Sequence, residues 1–397
     1  MRLTSEELQK VKEKYGVSEL YSWSKVNTFM TSPYEFYLQY ILHKKPDVDN
    51  CAYAPMGGIC HSIIEDYYSN KIDYEDMVVN FEDGWTTAIE IANLFFDRND
   101  ETKNNNIKNK YREDLICFFK NHKPIKNKVE LERFLSAKIG DYVLQGYVDA
   151  ITKDEYENFV IIDWKTSTKY SKKALEEHSG QLTVYAISLM QLGVPLNKIR
   201  CAFNFLKYCT VEYEQANGTV KTRDIERFEL GEKLQSNLKV WLKKLGYTEQ
   251  MDNYLKMVID TNSLDCLPED VQAKYKISDC YCYIDLNEKL VEKWTNEIIA
   301  TIKDIELRRA DYEETHSEKV WWDSDESVKS QSYYFSTLCG YSANLHKPYA
   351  EHLKRLEAAK DGSDMFGGLL GSGIVTSSSK VIDNKSDDID LSWLDSI

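Results

Sequence analysis

Residues 146–170 read GYVDAITKDEYENFVIIDWKTSTKY. Within them an apolar run, Val160-Ile161-Ile162, passes without a break into Asp163-Trp164-Lys165. A run of that kind predicts a strand buried on both faces. An acid and a base two residues apart at its end have two readings. The plain one is a strand-end ion pair facing water, worth little where exposed. The sharper one is a strand end that holds a metal ion and aims a lysine at whatever the metal binds. Residues two apart on a strand point to the same side, so Asp163 and Lys165 face one site. Asp149 ends the preceding strand pattern, and the short turn DEYEN joins the two. Two carboxylates converging this way repel each other unless a cation sits between them, and hard oxygen donors suit Mg²⁺ or Mn²⁺ better than zinc.

Upstream, VELERFLSAKIGDYVLQGYVDAITK alternates apolar and polar residues and predicts two further strands. Downstream, SKKALEEHSGQLTVYAISLMQLG has helical spacing and closes at Gly193. IRCAFNFLKYCTVEYEQANGTVKTRDIERFEL predicts a long hairpin with Asn217-Gly218 at its tip. Residues 22–42 predict two helices separated by Ser32-Pro33, with Pro33 in the first turn of the second. PMGGICHSIIEDYYSN predicts a helix start. Residues 84–120 predict a helical stretch interrupted by an exposed loop at DRNDETKNNN, and 231–258 and 286–315 predict helices. The sum is an α/β fold: a mixed central sheet flanked by helices, with helical N- and C-terminal elaborations. Its expected parts are a helical region carrying a His motif (1–125), a core sheet and helix (126–215), a hairpin with C-terminal helices (216–359) and a tail (360–397).

The chain has 397 residues, 42% of them hydrophobic, enough for one large core with insertions or for two domains. No run of about 18 uncharged apolar residues occurs, so no membrane span is expected, and MRLTSEELQKVKEKYG lacks the apolar region of a signal peptide. A cytoplasmic protein, of a bacterial cell or a phage-infected host, is expected. Nine scattered cysteines read as reduced core fillers, and the C-x-C of Cys280 and Cys282 is by itself a weak metal signal. The net charge of −15 argues against broad non-specific binding to a polyanion. It leaves room for a local basic groove around an acidic centre. The last 20 residues hold five Asp and two Lys, a contribution of −3, so about −12 lies elsewhere and the acidity is general.

Beyond residue 359 the composition turns to Gly, Ser and Asp, that of a flexible linker. It ends in DDIDLSWLDSI, where Leu391, Trp393, Leu394 and Ile397 could anchor a docking peptide in a partner's groove. The plain alternative is a disordered, solubilising acidic tail. DLSWL resembles sliding-clamp-binding peptides, and the whole tip resembles the tails of single-stranded DNA-binding proteins.

Taken in order, Gly146 with Asp149, Asp163 with Lys165, Gln181 with Tyr185, and His61 upstream in GGICHSIIEDYY resemble the PD-(D/E)XK nuclease superfamily in its RecB-like branch. SWSKVNTFMTSPYEFYLQY is similar to the segment that often opens such nucleases. The resemblance covers roughly residues 20–210, and 330–350 more weakly. It implies a restriction-endonuclease-like core and a Mg²⁺- or Mn²⁺-dependent deoxyribonuclease. His61, Asp149, Asp163 and the Trp164 carbonyl would be metal ligands, and Lys165 would position or activate the attacking water. Gln181 and Tyr185 would reach DNA or support the site. Glu130 or Glu132 would supply a further acid, with Glu130 taken as the candidate. Glu65 reads as a solvated helix acid or as part of the site.

In one respect the chain departs from that branch. Many members hold an iron–sulfur cluster on four cysteines, but here Ser32 precedes Pro33, and only Cys339 remains near the C-terminus. Ser342 and His346 do not rebuild a thiolate set, so no cluster is expected. No G-x-x-x-x-G-K-[ST] occurs, so any motor would be a separate polypeptide. The expected activity is exonucleolytic, on single-stranded DNA or DNA ends, in recombination, repair or phage DNA metabolism. The alternative is a non-catalytic adaptor or inhibitor on a nuclease fold, working through its tail.

Overall fold

The computed structural model describes residues 2–360, so the docking candidates Leu391, Trp393, Leu394 and Ile397 lie outside the described residues. By contacts the chain divides into two compact units. Among the described residues, one comprises 2–26 with 49–302, the other 27–48 with 303–360.

The first unit is built on a mixed seven-stranded sheet. Its strands are β1 (Tyr21–Ser22), β2 (Glu130–Ile139), β3 (Tyr142–Lys153), β4 (Phe159–Lys165), β5 (Ile199–Glu214), β6 (Val220–Glu226) and β7 (Tyr275–Tyr283). The path runs β1-β3-β4-β5-β6, with β2 also on β3 and β7 also on β5. β2, β3 and β4 form the antiparallel meander, and β5 returns parallel to β4. That return is made by α7 (Lys172–Glu177) and α8 (Gly180–Gln191), numbered after α1 (Ser5–Tyr15), α2 (Trp23–Thr31), α3 (Pro33–Phe36), α4 (Tyr53–Tyr68), α5 (Asp76–Trp85) and α6 (Glu101–Asn121). α4, α5 and α6 pack on one face of the sheet. Met56, Ile64, Phe81, Trp85, Leu115 and Phe118 share a core there with Ala150, Val160, Ile162, Trp164 and Leu206. The mixed α/β architecture is the one expected.

Local chemistry explains most boundaries. Thr4 and Glu7 make a reciprocal capping box on α1, which ends at Gly16 in the left-handed region. Ser32 caps α3 through the Glu35 N–H, with Pro33 in the first turn. The tight turn between β2 and β3 uses Gly140 at φ +60°. The exposed loop expected at 97–106 is corrected: α6 begins at Glu101. Asp100 caps the Lys103 N–H, and buried Asn104 accepts from the N–H groups of Phe96 and Asp97. Polar residues there satisfy a helix start, a role that composition alone does not separate from a loop. The helical region expected at 231–258 is two helices, Leu230–Lys244 and Met251–Thr261, broken at Gly246 with φ +92°.

In the second unit, Ser32 sits in a fully buried polar cluster. Its Oγ donates to Asp323 Oδ2 at 2.9 Å and meets His346 Nε2 at 3.1 Å. Burial lowers the His346 pKa to about 4 and raises that of Asp323 to about 7. Cys339 Sγ lies 3.7 Å from Glu35 Oε2, an oxygen that also accepts from the Tyr334 hydroxyl.

Candidate active site

The site arises where two strands part. β3 and β4 are paired from Lys153 and Phe159 up to Ala150 and Ile162, and the ladder stops there. Beyond that point β3 stays with β2 and β4 stays with β5. The next residues in register are Asp149 and Asp163. Asp149 takes over the missing ladder bond, its Oδ2 accepting the Trp164 N–H at 2.9 Å. The Trp164 carbonyl is thereby left outside the β3 ladder and meets His61 Nε2 at 2.8 Å. A carbonyl can only accept, so Nε2 carries the proton in this arrangement. The lone pair of the neutral ring is then on Nδ1, 3.7 Å from Asp149 Oδ2. His61 comes from α4, and its ring also meets the Trp164 indole edge-on at 5.9 Å.

Asp163 and Lys165 project to the side of β4 opposite Ile162 and Trp164, which lie in the helix-covered core. The side chains pair at 2.5 Å, Lys165 Nζ to Asp163 Oδ2. Asp163 is buried, and the lysine is the partner of its Oδ2. Burial pushes the Asp149 carboxyl well above its usual range, and the charge of Asp163 pushes it further. Burial opposes the charge of Lys165, yet Asp163 and Asp149 hold its ammonium above the usual lysine value. Two carboxylates therefore share one lysine in a partly dry fork.

Two more acids join this field. Leu131 pairs with Ala150 and Arg133 with Val148, which puts Glu132 opposite Asp149. Glu132 has φ +46°, a break in the strand, and its charge adds to the rise of both Asp149 and Glu65. Glu65 lies four residues after His61 on α4. Burial raises its pKa first, then Glu132, while His61 lowers it. Glu130 sits elsewhere, paired in the ladder with Ile151 and bridged to Lys128 at 2.9 Å.

Gln181 and Tyr185 meet each other on α8, Nε2 to hydroxyl at 3.2 Å. The Tyr185 hydroxyl donates to the Tyr147 carbonyl at 2.8 Å, and the ring is 5% exposed. It lies against Gly146, where a Cβ would stand 2.9 Å from the hydroxyl oxygen. The tyrosine thus fastens α8 to β3, three residues before Asp149.

Below the fork, a buried chain of polar groups supports Trp164. The indole is parallel to the Tyr68 ring at 6.5 Å. Tyr68 meets His122 Nε2 at 3.1 Å, and His122 Nδ1 meets Asp279 Oδ2 at 2.8 Å. Asp279 Oδ1 accepts from Arg227 at 2.6 Å, whose Nε donates to the Leu206 carbonyl. Burial would raise the Asp279 carboxyl, but the His122 hydrogen bond and the Arg227 charge hold it below its usual value. No local motif marks these residues in the sequence.

The donors at the fork are carboxylate, carbonyl and imidazole. With a buried Asp163 carboxylate and two acids for one lysine, they fit a hard divalent cation. Such a fork defines a carboxylate–lysine centre on a mixed sheet. The family model of the PD-(D/E)XK nuclease superfamily matches residues 21–319, and the chain belongs to that superfamily. Its members generally use divalent ions such as Mg²⁺ or Mn²⁺. No curated protein matches the chain. No helix among the described residues is long and apolar enough to cross a membrane.

Proposed function

We propose that the chain is a Mg²⁺- or Mn²⁺-dependent deoxyribonuclease of the RecB-like branch, acting on DNA ends or single strands in recombination, repair or phage DNA metabolism. The observation that carries this is the fork, where His61, Asp149, Asp163, the Trp164 carbonyl and Lys165 converge. His61, Asp149, Asp163 and the Trp164 carbonyl would hold the ion. A bound divalent ion supplies water activation at neutral pH and stabilises charge on the scissile phosphate and its leaving oxygen. Lys165 holds its ammonium beside Asp163, where it would orient the attacking water and face the developing phosphate charge. The pairing with Asp163 keeps that ammonium protonated and fixes its direction. Tyr185 and Gln181 hold β3 against α8, so their role is support. Glu132, opposite Asp149, supplies the further acid of the fork in this reading, and Glu65 stands beside it on α4.

A cytoplasmic setting and a tail partner bound through Leu391, Trp393, Leu394 and Ile397 are part of the same proposal, on sequence grounds alone. The test of the exonuclease reading is digestion of end-labelled linear single- and double-stranded DNA beside a closed circular control with Mg²⁺ or Mn²⁺. Linear substrates shortened from their ends with circles intact are expected. Linearised circles would make the enzyme an endonuclease. No cleavage of any substrate with either ion would favour the adaptor reading.

A further inference from the structure

A second cluster of metal-binding side chains lies on the same sheet, away from the fork. Cys280 and Cys282 alternate on β7, so both sulfurs face one side. Asp224 comes from β6, on the other edge of β5. Between them β5 carries a register break from Asn204 to Cys209 opposite β7. One ligand atom from each of the three residues lies within 4.8 Å of the others.

We propose that Asp224, Cys280 and Cys282 form a second metal site for a borderline-soft divalent cation of the zinc class, with one position left to solvent. The donor set selects that class, because two thiolates disfavour Mg²⁺ and suit Zn²⁺. The spacing fits as well. Sulfurs about 2.3 Å from a tetrahedral ion stand roughly 3.8 Å apart, and the two here stand 3.9 Å apart. Two further side chains hold the Asp224 carboxylate in place. Thr210 Oγ1 donates to Asp224 Oδ1 at 2.7 Å, and Lys169 Nζ pairs with Asp224 Oδ2 at 2.5 Å. Cys280 is buried and Cys282 half-buried, so the pair is shielded but reachable.

Lys169 gives the site a mechanism of its own. An ion bound by Asp224 displaces an ammonium that lies four residues after Lys165, in the segment leaving β4. Occupancy would then tie β6 to β7 and release Lys169. The proposal stands on donor geometry and does not depend on the nuclease reading.

The test uses the full, reduced, chelator-stripped protein titrated with Co²⁺. One equivalent with a thiolate-to-cobalt charge-transfer band, bleached by Zn²⁺, is expected. The band should lose about half its intensity in Cys282→Ser and vanish in the Cys280→Ser/Cys282→Ser double variant. Asp224→Asn should weaken Co²⁺ binding about tenfold, and Lys169→Met should tighten it. Asp163→Asn, at the fork, should leave the band intact. Because Cys280 is buried, Cys282→Ser is the decisive variant, with its circular dichroism compared to the parent. Absence of a charge-transfer band at stoichiometric Co²⁺, or a band undiminished in Cys282→Ser, overturns the proposal.

Discussion

Gly146→Ala is the substitution whose consequence the structure specifies most closely. A Cβ at this position would stand 2.9 Å from the Tyr185 hydroxyl oxygen and 3.1 Å from Cε1. Both distances are several tenths of an ångström inside van der Waals contact. The ring has no free direction, being buried and hydrogen-bonded to the Tyr147 carbonyl and to Gln181. Overpacking of this kind costs about 1–3 kcal/mol. If the ring yields, the carbonyl bond is lost for about another 1 kcal/mol. Gly146→Ala is therefore expected to destabilise the protein by about 2–4 kcal/mol. Because β3 carries Asp149 three residues further on, the variant should also bind Mn²⁺ more weakly. Urea unfolding monitored by two probes reads the first effect, and calorimetry of Mn²⁺ binding reads the second. Tyr185→Phe removes the nearest clashing atom, so the double variant should be less destabilised than the sum of the two singles by about 1–2 kcal/mol. A Gly146→Ala variant within about 0.5 kcal/mol of the parent, or strict additivity with Tyr185→Phe, would refute this account of how α8 holds the fork.

Glu132→Gln should lower Mn²⁺ affinity about tenfold while Glu130→Gln leaves it unchanged; calorimetry of the two side by side decides which acid serves the fork. Asp279→Asn leaves the Arg227 guanidinium buried without its carboxylate, and a loss of about 3–5 kcal/mol is expected in urea unfolding, with a loss under about 1 kcal/mol counting against the network. Burial raises the Asp114 carboxyl to about 7, although the Phe228 N–H bonded to it pulls the other way. A folded pKa above the unfolded one means that the folded state holds the proton longer. The stability this contributes is full below about pH 4 and is lost as pH rises through 7. Asp114→Asn keeps an acceptor for Phe228, so its stability should fall less than the parent's between pH 5 and 8, by about 3 kcal/mol. An unchanged pH slope would remove Asp114 from that role.

Much of the fork was legible in the sequence because the chemistry is local there. Val160-Ile161-Ile162 reads as a buried strand, on which Asp163 and Lys165 share a side. A short turn brings Asp149 alongside. His61 and Trp164 entered through the resemblance, and the structure brings both to the fork. Which of Glu130 and Glu132 lies opposite Asp149 was not legible. Strict alternation treats the two alike, and the left-handed break at Glu132 is a property of the folded backbone. β7 escaped because its alternation of cysteine and tyrosine carries no strong period, and its partners on β5 lie some 70 residues earlier. A separation of more than 50 residues likewise hid Asp224 from Cys280 and Cys282. The Tyr68–His122–Asp279–Arg227 chain joins four separate segments, and nothing at any one of them marks it. Ser32 could be read as a departure from the cysteine pattern, but its partners Asp323 and His346 lie some 300 residues away.

The central claim is that the fork is a catalytic centre in which Lys165 acts on DNA phosphate. The measurement that reaches it most directly is the rate of cleavage of end-labelled linear DNA in Mg²⁺ or Mn²⁺ by the parent and by Lys165→Ala, with Mn²⁺ binding measured on both. The account predicts a cleaving parent and a variant that still binds Mn²⁺ but has lost cleavage by at least about a hundredfold. A Lys165→Ala variant that cleaves at the parent's rate, or a parent that binds the ion and cleaves nothing, would contradict it.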